Sequence, residues 1–142
     1  MASIEDAHKL IRDVWETIKD EYSKSNPGKH LVLTESHRSP ERQMALYKKG
    51  RKQTANGDWV TFDKSQVLTM VDGFQIMGAH NYFPSRAIDV AVVFDKSGKI
   101  SWKEGDYSPL KEIAVGVGLE WGGTWARLND YPHLEIPGWR DL

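Results

Sequence analysis

The stretch that decides the fold is Ala87-Ile88-Asp89-Val90-Ala91-Val92-Val93-Phe94. Eight residues rich in β-branched side chains, with neither Gly nor Pro, read as a strand. Alternation puts Ala87, Asp89, Ala91 and Val93 on one face and Ile88, Val90, Val92 and Phe94 on the other. Asp95-Lys96-Ser97-Gly98 closes the strand with a turn, and a second arm is expected near Ile100-Ser101-Trp102. Asp89 is the only charge in the strand. A carboxylate in so apolar a segment is costly unless it is paired or binds a metal.

Upstream, Ser3 and Asp6 predict a helix start. Ile4, Ala7, Leu10, Ile11, Val14, Trp15, Ile18 and Tyr22 then recur at helical spacing, so a helix is expected over about 4–24, ended by Asn26-Pro27-Gly28. Leu31-Val32-Leu33-Thr34 reads as a short buried strand. Ser39-Pro40 opens a second helix running to Lys49, with Gly50 as its stop. Residues 51–79 carry little periodicity beyond an Asn56-Gly57 turn and a possible strand Trp59-Val60-Thr61-Phe62. Downstream, Ser108-Pro109 predicts a helix to about Val117, and Leu119-Glu120-Trp121 and His133-Leu134-Glu135-Ile136 read as final strands. The expected fold is α+β, one domain over residues 1–142 with helices packed on a mainly antiparallel sheet.

Composition narrows the chemistry. At 39% hydrophobic and 27% charged, the 142 residues are those of one ordinary globular domain. A net charge of −1 with scattered basic residues gives no footprint for nucleic acid. No apolar run approaches ~20 residues, so no membrane span is expected. The N-terminus lacks the basic and apolar regions of a signal peptide, which predicts a chain made in the cytoplasm. With no cysteines, any metal must be held by His and carboxylates.

Of the five histidines, His8 and His30 are expected at surface or boundary positions, and His37 can border a site without being a ligand. His80 lies nine residues before Asp89 across a Pro-containing loop. From spacing alone Asp89 is open between an ion pair with Arg86, a loop cap and a metal ligand. Asn129-Asp130-Tyr131-Pro132-His133-Leu134-Glu135 supplies a second His, with a carboxylate three positions before it. Two His and one Asp with an open fourth position are a common catalytic zinc set, and a further carboxylate beside it suits a general base.

Gly78-Ala79-His80, Ala87-Ile88-Asp89, Trp121-Gly122-Gly123 and Asp130-Tyr131-Pro132-His133-Leu134-Glu135 occur in that order. Upstream stand Ser36-His37-Arg38-Ser39-Pro40-Glu41-Arg42-Gln43 and Leu46-Tyr47-Lys48-Lys49-Gly50-Arg51. Over about residues 31–136 this resembles the zinc peptidases that include the VanY-like D-alanyl-D-alanine carboxypeptidases and the phage L-alanyl-D-glutamate endolysins. The resemblance implies a Hedgehog/D-Ala-D-Ala peptidase-like fold and zinc held by His80, Asp89 and His133. It implies Asp130 as catalytic base and Arg38 as a cation for the oxyanion or a substrate carboxylate, with Gln43 assisting. Glu135, on the face of His133, would orient that ligand from behind. Two departures stand out: Gly78 replaces a usual Ser, and the His80–Asp89 loop is about two residues longer than common.

The function so implied is a zinc-dependent peptidoglycan peptidase, expected to be an L-alanyl-D-glutamate endopeptidase of the phage endolysin type acting on the peptide stems. It would be a monomer without stable membrane association, reaching the wall after holin-dependent release. The alternatives are a D-alanyl-D-alanine carboxypeptidase and, from another class, a non-catalytic zinc-containing wall-binding domain.

Overall fold

The computed structural model describes residues 2–125 and 129–142. Its first long element is α1 (Lys9–Ser25), which buries Ile11, Trp15, Ile18 and Tyr22 along one stripe. The helix begins later than its apolar pattern predicts. Ile4–Asp6 form a separate 3-10 turn capped by Ser3. The chain is extended at Ala7 because that residue bridges Ser85. His8 N donates to Ser85 O at 2.8 Å, and Ser85 N donates to Asp6 O at 2.8 Å. The cap of α1 is therefore His8, whose Nδ1 accepts from Leu10 N at 3.1 Å. Through these bonds Ser85, in the His80–Asp89 loop, anchors the N-terminal turn.

β1 (Lys29–Glu35), α2 (Pro40–Tyr47) and a small antiparallel hairpin of β2 (Arg51–Gln53) and β3 (Trp59–Thr61) follow. Ser39 caps α2 by accepting from Arg42 N, with Pro40 in its first turn, as the sequence predicts. β4 (Ala87–Phe94) has the expected bounds and lies inside a four-stranded antiparallel sheet. Its order is β1-β4-β6-β5, where β5 is Glu120–Trp121 and β6 is His133–Glu135. Ile100 makes only a single bridge to Val93 rather than a second arm. Ser101 turns inward there and bonds Asp106.

Two short helices replace the one expected from Ser108: α3 (Glu104–Tyr107) and α4 (Leu110–Gly116). Ser108 cannot cap α4, because it sits in the helical region ending α3 and donates its hydroxyl to Gly105 O. The core lies between α1, α4 and one face of the sheet: Ile11, Ile18, Tyr22, Ile88, Val92, Leu110 and Leu134 are wholly buried. Each such aliphatic or aromatic side chain contributes about 1.5–3 kcal/mol on burial. The opposite face is left for polar groups, and at one end of it the site is built.

Candidate metal centre

β4 pairs with β6 so that Asp89 stands opposite His133. Side chains opposite one another in an antiparallel pair project to the same face, so both leave the core side together. His80 reaches them from a 3-10 turn, Ala79–Asn81, laid across the end of β4. That turn is stitched to the loop after β1. Arg38 N donates to His80 O at 2.8 Å, and Asn81 Nδ2 donates to Arg38 O at 3.0 Å.

Asp89 Oδ1 lies 3.2 Å from His80 Nε2 and 3.2 Å from His133 Nδ1. One donor atom from each of the three falls within 4.8 Å of the others. Tetrahedral ligands about 2.0–2.1 Å from zinc stand roughly 3.3 Å apart, so the set fits the ion. The rear nitrogens fit as well. His80 Nδ1 is 2.7 Å from Ser36 O, and His133 Nε2 is 2.8 Å from Glu135 Oε1. A carbonyl and a carboxylate only accept, so those rear nitrogens keep their protons, and Nε2 of His80 and Nδ1 of His133 are the positions that would lose theirs to face a metal. Glu135 is itself fixed by Trp139 Nε1, which donates to its Oε2 at 2.8 Å.

Asp89 does not pair with Arg86, whose guanidinium bonds Trp139 O and lies over the Tyr82 ring. Its charged partner is Arg38, with Nη2 3.2 Å from Oδ2, leaving Oδ1 for the metal side. Burial alone would raise the Asp89 pKa. The charge of His80 and the hydrogen bonds of both histidines outweigh it and hold the carboxyl well below its usual range. Asp130 shows the opposite balance. Loss of hydration and the nearby Asp89 charge raise its pKa against the pull of His133, His80 and Arg38. Its Oδ2 stands 3.7 Å from His133 Nδ1, on a side chain 38% exposed.

Gly122 makes this approach possible. A Cβ there would meet Asp130 O at 2.6 Å and the Cβ atoms of Asp130 and His133 at 3.1 Å. At Gly123 a Cβ would enter the Trp121 ring, and Trp121 Nε1 donates to Tyr131 O at 2.7 Å, holding the segment before His133. Gly78 also has a local reason: a Cβ there would come 2.9 Å from Val71 Cγ2, in the space a serine would use.

Arg38 is nearly buried, and it engages Glu35 Oε2 at 2.6 Å and Gln43 Oε1 at 2.9 Å besides Asp89. Gln43, expected to meet the substrate, commits both sides of its amide to the protein, since Nε2 donates to Thr69 Oγ1 and Val71 O. It supports Arg38 and ties residues 69–71 to α2. Sequence reasoning missed Glu35 and Arg42, whose Nε donates to Glu35 Oε1 at 2.8 Å. His37 is exposed with its ring against Phe83, and His30 pairs with Asp95, so neither reaches the site.

These groups line one groove of about 650 Å³, within the range of small-molecule and peptide sites. Its floor holds His80, Asp89 and His133; Arg38, Arg42 and Asp130 stand along it, and Leu46, Leu68, Met70 and Trp125 form apolar walls. A divalent metal held by His80, Asp89 and His133 would supply a Lewis acid and lower the pKa of a water. Asp130, half-buried with Oδ2 3.7 Å from His133 Nδ1, stands beside that position within reach of a proton.

A family model described as D-alanyl-D-alanine carboxypeptidase matches residues 77–136, the stretch that contains His80, Asp89, Asp130, His133 and Glu135. The peptidoglycan L-alanyl-D-glutamate endopeptidase CwlK of Bacillus subtilis is 34% identical over 140 residues, covering 92% of this chain and 74% of that protein. The crystal structure of the Serratia marcescens L-Ala D-Glu endopeptidase ChiX superposes with a TM-score of 0.57. The match covers 97% of this chain and 85% of that one at 22% identity, and it shows the shared fold.

Proposed function

Because the chain belongs to the family of metal-dependent peptidoglycan peptidases that its CwlK relative represents, we propose that it hydrolyses the L-alanyl–D-glutamate bond of the wall peptide stem with zinc held by His80, Asp89 and His133. The observation that carries this reading is the convergence of three donor atoms from separate parts of the chain, each histidine with its rear N–H already anchored. A site of that kind is oriented before any ion arrives.

In this reading Asp130 takes the proton from the attacking water and returns it to the leaving amine. Arg38 keeps Asp89 Oδ2 engaged and contributes positive charge for the developing oxyanion. Glu135 holds the His133 ring. The reading extends to a monomeric lysin of the endolysin type that acts at the wall after release, motivated by the Trp-Gly-Gly and Asp-Tyr-Pro-His segments. The D-alanyl-D-alanine carboxypeptidase alternative stays in view because the matching family model bears that description. A non-catalytic wall-binding domain would give no task to Asp130, the further carboxylate whose Oδ2 stands 3.7 Å from His133 Nδ1.

Digestion of purified peptidoglycan, with fragments identified by mass spectrometry, tests the proposal. New amino termini at D-Glu are expected, and they should vanish with chelator, return with zinc and be lost in Asp130→Ala. Release of free D-Ala alone would move the assignment to the carboxypeptidase, and activity that survives thorough chelation would remove the metal mechanism.

A further inference from the structure

The two arginines of the groove differ sharply in what is left for a ligand. Arg38 is 11% exposed, and its guanidinium is shared among Glu35, Asp89 and Gln43. Arg42 is 61% exposed in its side chain, and among the described residues its only partner is Glu35, met through Nε. The groups form a line of alternating charge, Asp89, Arg38, Glu35 and Arg42, running from the metal ligands outward along the groove. Glu35 braces both arginines. Burial would raise its pKa, but hydrogen bonds from Arg38 and Arg42 and the charges of Arg38 and His80 hold it below the ordinary carboxylate value. The rest of the titratable lining is acid or imidazole: Asp89, Asp130, Glu135, His80 and His133. Arg42 is thus the accessible cationic side chain of the groove lining, because the Arg38 guanidinium is already shared among Glu35, Asp89 and Gln43.

We infer that Arg42 is a specificity-determining residue that binds a free carboxylate of the substrate, an inference that rests on the endopeptidase reading. A glutamyl residue has two carboxyl groups, and a peptide chain uses one. The other stays anionic unless amidated, so a glutamate-containing stem carries a charge that its amidated counterpart lacks. A guanidinium braced at Nε keeps its two terminal nitrogens for a paired contact with such a group, which a lysine ammonium cannot copy. The carboxylate would continue the alternation begun at Asp89.

The test uses the full chain loaded with zinc and two synthetic stem peptides, one with D-glutamate and one with its amide in place of the free carboxylate. The wild type is expected to favour the acid peptide, chiefly through KM. Arg42→Ala should raise KM for the acid peptide by about tenfold, as loss of one exposed charge-assisted contact does. The amidated peptide should be affected little, and Arg42→Lys should fall between. Equal efficiency of the wild type on both peptides overturns the inference even if a variant misfolds. A similar KM increase for both peptides in Arg42→Ala assigns Arg42 to structure and overturns it as well. Cleavage of neither peptide between Ala and Glu overturns the endopeptidase reading first, and the inference with it.

Discussion

His133 Nε2 lies 2.8 Å from Glu135 Oε1, two positions along the same strand, so strand alternation itself places His133 and its acceptor on one face. Glu135 is buried and held in turn by Trp139. Glu135→Ala removes the group that fixes the His133 tautomer. Zinc affinity should fall by about 10- to 100-fold, measured by competition with a chromophoric chelator. Glu135→Gln, which keeps an acceptor, should lose less. Unchanged affinity in the alanine variant would falsify the orienting role.

Metal binding should also be visible as proton release. In the metal-free protein burial lowers the His133 pKa, but hydrogen bonds to Asp89 and Glu135, with the charges of Asp89 and Asp130, push it up to about 10. The folded value lies above the ordinary 6.5. The imidazolium's contribution to the metal-free fold is therefore full below that ordinary value and is lost as pH rises through the folded one. Zinc needs the Nδ1 position that the proton occupies, so binding at pH 8 should release about one proton from this residue. Calorimetry in buffers of different ionisation enthalpy counts it, and zero protons released would mean that His133 is neutral before the metal arrives. The same titration should raise the melting temperature, because the ligand binds the folded state.

How far the sequence reaches is shown by Glu35. Simple alternation along β1 puts it with Leu31 and Leu33, facing the core. The pairing register shifts between Leu33 and Glu35, so that Leu33 stands opposite Val90 while Glu35 stands opposite Asp89. That irregularity sends Glu35 to the site face, and no residue pattern in Leu33-Thr34-Glu35 announces it. The meeting of His80, Asp89 and His133 was legible because its signal is chemical type in a fixed order, which tolerates errors in element bounds. The helix start at His8 was not, because pairing of Ala7 with Ser85 across the fold overrides local helical preference. Residues 51–79 resisted reading for a related reason. They are held by polar bonds, such as buried Arg51 to Tyr47 O and Thr69 O, while Phe62, Leu68, Met70 and Phe74 stay exposed. An apolar periodicity cannot reveal a segment whose order does not come from apolar burial.

Asp106 offers a pH test remote from the metal. Hydrogen bonds from Lys29 Nζ, at 2.6 Å, and from Ser101 hold its pKa below the usual value, and Tyr22 OH donates to its main-chain oxygen. A depressed carboxylate adds stability above its unfolded pKa and loses it as pH falls through the folded one. Asp106→Asn should therefore lower stability by about 1 kcal/mol at pH 7, and the gap from wild type should close towards pH 2. Denaturant midpoints at both pH values check this; a gap that stays constant contradicts it. The metal-site carboxylates titrate in both proteins and cancel in the difference.

Gly122 and Gly116 make a matched pair for the last test. Gly116 ends α4 with nothing within 4 Å of an added Cβ and no left-handed φ, so Gly116→Ala should be neutral or slightly stabilising. Gly122→Ala places its Cβ 2.6 Å from Asp130 O, a backbone atom that cannot rotate away. The same glycine's oxygen accepts from Asp130 N at 3.0 Å, so the two segments cannot separate without losing that bond. The relief must come from moving Asp130 and His133 together, since His133 Cβ is also only 3.1 Å away. A displacement of about 1 Å at reacting groups can cost 100-fold in rate, whereas the main core on the other face of the sheet is untouched. Gly122→Ala should therefore retain most of its thermal stability while kcat/KM on a stem peptide falls by about 100-fold. Full activity in that variant would mean that the close approach at Gly122 has no part in placing Asp130.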